Sequence, residues 1–140
     1  MTVTPSKTQP DSPESIFAEC VAAAEAAVAA CTPRPMIVGS PSHPLGNDID
    51  PTQPVYYIED GMCGFGYVTV KPARGAFVKM LQKQGIGYKG YYGGWQMSAR
   101  VFAPSLSRSQ SYEKARAAAA AAAKVLNRYC ISAYAEARLD

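Results

Sequence analysis

The sequence lacks the features that mark membrane-spanning, secreted and zinc-binding proteins. No apolar run approaches the ~18 residues that cross a bilayer. The first fifteen residues are polar and rich in proline, and they contain no apolar core of a secretory signal. The four cysteines form no Cys-x-x-Cys pair, which excludes zinc-ribbon and thioredoxin-type sites. We therefore expect a cytoplasmic protein that uses no metal and no cofactor.

Groups suited to catalysis are also scarce. The single histidine, His43, could act as a base for Cys63, with Asp48 or Asp50 as a third member. However, Cys63 follows a predicted turn and not a helix N-terminus, which would lower the pKa of its thiol. The glycine-rich residues 61–66 lead into a strand, whereas phosphate-binding loops lead into a helix. We therefore predict that the protein is not an enzyme.

Acidic residues are nearly absent between residues 71 and 128. Residues 71–128 carry eleven Lys or Arg against one acid, Glu113. Residues 1–60 carry eight acids against two cations. This asymmetry favours an anionic partner, or docking of one half of a chain on the other half of a neighbour.

The N-terminal part of the sequence predicts an arm, a helix and a linker. Residues 1–11 should be a flexible arm, and Ser12-Pro13-Glu14 is typical of the start of a helix, here over 12–31. The apolar stripe of that helix would contain Phe17, Val21, Ala24, Val28 and Cys31. We interpret Cys20 and Cys31 as buried apolar side chains. Residues 32–54 hold six prolines, which indicates an extended linker with 36–38 as a short edge strand.

Residues 55–140 should form the compact core. The segment 55–70 predicts two strands joined by a hairpin turn at Asp60-Gly61, with Cys63, Phe65, Tyr67 and Thr69 on one face. The later elements would be a helix over 73–84 ending at Gly85, a strand over 95–102, an Ala-rich helix over 110–128 capped by Ser109, and a closing strand. The order α-β-β-α-β-α-β, after the arm, predicts an α+β fold with helices on one face of a mainly antiparallel sheet.

One stretch combines aromatic rings with cations and is the candidate binding surface. Its residues are Tyr88, Lys89, Tyr91, Tyr92, Trp95, Arg100 and Arg108, with Arg116 and Lys124 as outer electrostatic support. Rings among Lys and Arg are how proteins hold single strands and nucleotides with little base readout. A simpler interpretation is that the tyrosines cover a sheet edge and the basic face is merely solvated.

Four segments together resemble a family of small bacteriophage-encoded proteins. They read DGMCGFGYVTVKP, YYGGW, YEKARAAAAAAAKVL and AYAEARLD, and they fall between residues 55 and 140. The family pattern is a D-G-x-C-G-F-A-W-V hairpin, an Ala-rich helix and an R-L-D ending. Gly66 and Tyr67 replace the usual Ala-Trp pair. The family carries no settled activity, so the resemblance implies a phage setting and no site.

Taken with this resemblance, which implies the phage setting and the host cytoplasm, the sequence predicts an accessory protein that acts by stoichiometric binding. Its partner would be a nucleotide or nucleic acid, or a host protein such as a defence factor, and the chain would form a homo-oligomer. The alternative is a structural component of a virion, assembled through the N-terminal arm.

Overall fold

The computed structural model describes residues 12–140. The predicted arm, residues 1–11, lies outside this range. The helices are α1 (Pro13–Ala30), α2 (Ala76–Lys83), α3 (Ala99–Phe102) and α4 (Tyr112–Arg128), with a 3-10 helix over Pro104–Arg108 before α4. The strands are β1 (Met36–Gly39), β2 (Val55–Ile58), β3 (Gly64–Val70), β4 (Tyr88–Lys89), β5 (Trp95–Ser98) and β6 (Ala133–Leu139).

The first helix begins as predicted, and its buried stripe shares Ala24 with the predicted one but is turned toward Ile16 and Cys20. The Ser12 hydroxyl accepts a hydrogen bond from the Ser15 backbone N–H at 3.1 Å, and Pro13 is the first helical residue. The buried side chains are Ile16, Cys20 and Ala24. Because alanines make several sides of α1 apolar, the sequence pattern did not decide which stripe would face α4. Phe17 stays half-buried, and its ring centroid lies 5.3 Å from that of Phe102.

The predicted hairpin at Asp60-Gly61 does not form. β2 pairs with β1 in a separate two-stranded antiparallel sheet, which includes the predicted edge strand, with Met36 opposite Ile58. Gly61 does adopt the positive φ of a turn, 74°. The turn, however, leads from this small sheet to the main one. Local turn chemistry was thus read correctly, while strand pairing was decided by residues far away in the sequence.

The main sheet has four strands in the order β4-β5-β3-β6, and all its neighbouring pairs are antiparallel. From β3 to β6 the chain runs β3-α2-β4-β5-α3-α4-β6; apart from the one-turn helix α3, this is the β-α-β-β-α-β order of ferredoxin-like, split βαβ folds. The predicted α+β class with an antiparallel sheet is confirmed.

Glycine and alanine let α4 lie close to the sheet, as the sequence predicted. A Cβ atom at Gly66 would come within 2.5 Å of the Ala115 carbonyl oxygen. The buried residues of α4 are Ala115, Ala118, Ala119, Ala122, Ala123, Val125 and Leu126. The cap is Ser111 and not Ser109: the Ser111 hydroxyl accepts from the Lys114 backbone N–H at 3.3 Å. The Ser109 hydroxyl instead donates to Asp60 at 2.9 Å.

Two further segments complete the core. α2 buries Phe77, Val78 and Leu81, and Gly85 follows it with φ of 72°, as predicted. The predicted strand over 95–102 is too long, because β5 ends at Ser98, whose hydroxyl caps α3 by accepting from the Arg100 N–H. The helical turn places Phe102 fully in the core. Since α1 also contributes buried residues, the core extends beyond the predicted range of 55–140.

Candidate functional site

The two faces of the main sheet differ sharply. Val68, Val70 and Met97 point to the helix side and are buried. The residues that alternate with them point away from the helices, and of these only Thr69 is buried, at 3% exposure. We call this second set the open face: Phe65, Tyr67, Thr69, Tyr88, Gln96, Ser98, Tyr134, Glu136 and Arg138. Three of its rings are among the large exposed apolar side chains, at 39% for Phe65, 48% for Tyr88 and 44% for Tyr134.

Strand register arranges the open face in rows. Phe65 lies opposite Arg138, and Tyr67 lies between Ser98 and Glu136. The third row runs Tyr134, Thr69, Gln96, Tyr88 across all four strands. Directly opposed residues on adjacent antiparallel strands have Cβ atoms about 4.5–5.5 Å apart. The four aromatic rings therefore belong to one continuous surface.

Arg138, on the edge strand β6, is held against Tyr67 of the neighbouring strand β3. Its Nη2 atom donates to the Tyr67 hydroxyl at 3.2 Å, and its guanidinium carbon lies 5.6 Å from the centroid of the Tyr67 ring. Such a cation–π arrangement fixes the guanidinium plane. Because Arg has five N–H donors, most of them stay available after the bond to Tyr67.

Tyr88 is the ring of the predicted set that lies on the open face. Partial burial raises the pKa of its phenol, nearby Tyr67 raises it further, and Arg138 lowers it. The Tyr88 hydroxyl therefore stays neutral at physiological pH and can donate a hydrogen bond.

A shallow depression of about 370 Å³ lies in the open face. It is lined by Tyr67, Tyr88, Gln96, Glu136, Ala137 and Arg138. This volume is within the range of small-molecule sites, roughly 300–1,000 Å³. Rings, a cation, an amide and a carboxylate thus converge on a space that suits a planar polar ligand.

The remaining predicted site residues do not gather at the open face. Tyr91 and Tyr92 lie in the turn between β4 and β5, 90% and 85% exposed, with ring centroids 4.7 Å apart and nearly perpendicular. The Tyr92 carbonyl accepts from the Lys71 ammonium at 3.1 Å. Lys89 is exposed, and strand alternation directs it to the helix side of β4. These residues form the rim at one end of the sheet.

Trp95 serves the fold more than the surface. Its indole N–H donates to the Ile86 carbonyl at 2.9 Å, and the half-buried ring packs against the core on the helix side. A Cβ atom at Gly87 would come within 2.5 Å of the indole nitrogen. Trp95 therefore anchors the chain that enters β4.

The predicted cations are spread over the molecule. Arg100 lines a small cavity together with Phe65, at the edge of the open face. Arg108 is exposed at the end of the 3-10 helix. Arg116 and Lys124 are exposed on α4, which covers the opposite face of the sheet. Of the predicted set, Tyr88 thus lines the depression, whereas Arg100 borders a different small cavity that shares Phe65 and Ser98 with the open face.

Sequence analysis missed five residues of the open face: Phe65, Tyr67, Tyr134, Glu136 and Arg138. Period-two alternation in the segments 64–70 and 133–139 was the available signal, and it placed Phe65 and Tyr67 on one face. The pairing of β6 with β3, which brings Arg138 to Tyr67, was not visible locally.

The thiol–imidazole pair that Cys63 and His43 could in principle form is not assembled in the described part of the chain. His43 lies in the loop between β1 and β2, whereas Cys63 forms an isolated β-bridge with Ser111. No hydrogen bond within residues 12–140 joins the two side chains.

Comparisons with known proteins add no assignment. Among residues 12–140, no helix has the length and apolar character needed to cross a membrane. No protein-family model matches the chain, and searches of curated proteins and of solved structures found no significant match.

Proposed function

We propose that this chain is a non-catalytic, phage-type binding protein that holds single-stranded nucleic acid or nucleotides on the open face of its main sheet. The observation that carries the proposal is the set of four aromatic rings, with Arg138 among them, on a sheet face that the described helices leave uncovered. In this proposal the protein acts by binding its ligand and not by converting it, because the site offers stacking and hydrogen bonding and no nucleophile–base pair.

Stacking supplies the main attraction in this proposal. A base on an aromatic side chain contributes roughly 1–3 kcal/mol. Four-stranded RNA-recognition sheets use the same device, with two or three bases stacked on rings of the open face. The split βαβ order of this chain leaves the corresponding face open. That parallel is one of architecture alone, and the rings themselves carry the argument.

Charge at the ends of the sheet supports binding of a phosphate backbone. Lys71 directly follows β3 at one end, while Arg100 and Arg138 lie toward the other. These cations can pair with phosphates on either side of the stacked bases. Binding should therefore weaken steeply as salt rises, through counterion release.

The test is a titration of a fluorescein-labelled mixed-sequence 10-mer DNA by anisotropy at ~50 and ~200 mM salt. We expect saturable binding at low salt that falls by at least tenfold at high salt. Tyr88→Ala should weaken binding about tenfold, as expected for loss of one stacking ring. Tyr57→Ala, an exposed tyrosine on β2, is the matched control and should bind like the wild type. No binding at low salt, or equal losses in both variants, would refute the proposal.

The small sheet favours a second candidate, a structural role through self-assembly. Its strands and loop expose the large apolar side chains Ile37, Val38, Leu45, Ile49, Val55, Tyr56, Tyr57 and Ile58. Exposed apolar clusters of this kind mark interaction surfaces. Residues 32–60 carry one cation against four acids, whereas residues 71–128 are strongly basic. The complementary partner is therefore a second copy of the chain, as in a virion component.

Sedimentation velocity over a range of concentrations separates this candidate from the first. Ile37→Lys, which places a charge on the small sheet, should shift an oligomer to monomer. Gln53→Lys adds the same charge at an exposed polar position and should leave the oligomer unchanged. A wild-type chain that stays monomeric would eliminate assembly through this sheet.

A further inference from the structure

Glu136 is the one acidic residue of the open face, and it lies on the edge strand β6. It stands directly opposite Tyr67 on the adjacent strand and lines the depression with Tyr88, Gln96 and Arg138. Its side chain is exposed. Within residues 12–140 its carboxylate has no hydrogen bond and no ion pair; the two salt bridges of this region join Lys114 to Asp60 and Arg128 to Glu19.

A carboxylate at this place does not fit a surface that binds phosphate alone. A negative charge beside the backbone path weakens phosphate binding at every sequence. It becomes favourable only where a ligand presents N–H donors to it, because an ionised carboxylate is purely an acceptor. Charge-assisted hydrogen bonds of this type are about twice as strong as neutral ones. The position of Glu136 therefore points to a ligand that carries adjacent donors.

Among the bases, guanine alone presents two neighbouring donors on its Watson–Crick edge, N1–H and the N2 amino group. The two oxygens of a carboxylate can accept both. Adenine and cytosine each place a ring-nitrogen acceptor beside their amino group, and thymine and uracil flank one N–H with two carbonyls. Each of these bases would therefore set an acceptor atom, a ring nitrogen or a carbonyl oxygen, against one of the two Glu136 carboxylate oxygens. That carboxylate oxygen would be left without a hydrogen-bond donor.

We infer that Glu136 reads the Watson–Crick edge of a guanine stacked on the open face, so that the protein prefers guanine-containing single strands or guanine nucleotides. Tyr67 and Tyr88 supply the stacking surface beside Glu136. Arg138 and Gln96, which line the same depression, carry N–H donors for the guanine O6. This inference rests on the proposed function, and it adds base selectivity to that function.

The test compares labelled dT10 with three variants that carry one central dG, dA or dC, at ~50 mM salt. We expect the dG oligomer to bind at least tenfold more tightly than the others. Glu136→Gln should reduce that preference to twofold or less, while binding of dT10 stays equal or becomes tighter because a negative charge is removed. Glu59→Gln, a matched change in the turn after β2, should keep the preference.

The outcomes separate the two proposals. If dG shows no advantage, or if its advantage survives in Glu136→Gln, the guanine inference is wrong while binding of dT10 still upholds the open face as a single-strand site. If no oligomer binds the wild type, both proposals are overturned.

Discussion

The side-chain amide of Asn127 both donates a hydrogen bond to the backbone of Ala133 and accepts one from it. Its Nδ2 atom donates to the Ala133 carbonyl at 2.8 Å, and its Oδ1 atom accepts from the Ala133 N–H at 3.3 Å. Nδ2 also donates to the Ala123 carbonyl at 2.9 Å. One amide thus ties the last turns of α4 to the first residue of β6.

Replacing this amide with a carboxylate should destabilise the fold. Asn127→Asp removes both Nδ2 donations and sets a negative charge against two carbonyl oxygens, for an expected loss of about 1–3 kcal/mol in the free energy of unfolding. Urea denaturation at pH 7 measures it. The other asparagine of the chain provides the control, since Asn47→Asp lies in the exposed loop before β2 and should change little. Equal stability of the two variants would contradict the bridging role.

A methyl group at Gly64 should be poorly tolerated. A Cβ atom there would lie 2.6 Å from the Arg138 carbonyl oxygen and 2.7 Å from Cδ1 of Tyr112. Gly64→Ala therefore forces β3 away from β6 and from the start of α4, and we expect a loss of about 1–3 kcal/mol. Gly46→Ala is the control, because its Cβ atom would meet nothing closer than 3.4 Å. The melting temperatures of both variants, compared with that of the wild type, measure this effect. A melting temperature of Gly64→Ala equal to that of the wild type would refute the close packing.

The four thiols should react with iodoacetamide in the order of their exposure. Cys63 and Cys130 are exposed, Cys31 is half-buried, and Cys20 is fully buried with its thiol directed at the Ala122 carbonyl. Mass spectrometry after brief labelling at pH 8 should find adducts on Cys63 and Cys130 first and on Cys31 later. Cys20 should be labelled only after unfolding in guanidinium. Early labelling of Cys20 would mean that α1 does not pack on α4 as described.

Stability should fall at alkaline pH, in part because of Cys20. The pKa of its thiol is raised from 9.0 to about 12, chiefly by burial and secondly by Glu19, with Arg128 partly opposing both. The unfolded chain therefore ionises this thiol near pH 9, while the folded chain does not until about pH 12. The contribution is complete below pH 9 and is lost progressively as pH rises toward 12.

Cys20→Ala isolates this effect. The free energy of unfolding, measured by urea between pH 8 and 11, should fall less steeply with pH in the variant than in the wild type, whatever packing it loses at pH 8. If the free energy of unfolding changed with pH in the same way in the two proteins, the Cys20 thiol would have the same pKa in the folded and unfolded states.

Local sequence signals located most elements of this fold. Ser12 and Pro13 mark the start of α1, Gly85 the end of α2, and the alanine tract the close approach of α4 to the sheet. Alternation in β3 separated Gly64 and Gly66 from Phe65 and Tyr67. These features depend on residues within a few positions of one another, so periodicity and capping chemistry suffice to predict them.

The candidate site was only partly visible in the same way. Tyr88 was identified because rings and cations cluster near it in the sequence, and Trp95 was identified for the same reason although it packs against the core. Clustering in the sequence does not separate the two faces of a sheet: alternation places Trp95 with Met97 on the helix side, whereas Tyr88 lies opposite Gln96 on the open face.

The sequence by itself determined the α+β class, the positions of the main helices and the two-sided character of β3, since each follows from local spacing. Only the tertiary structure decided that β2 pairs with β1 and that β6 lies beside β3. The latter choice joins Arg138 to Tyr67 across 71 positions of the chain and brings Glu136 among the rings. Strand partners are selected by burial summed over the whole core, and no local pattern encodes that sum.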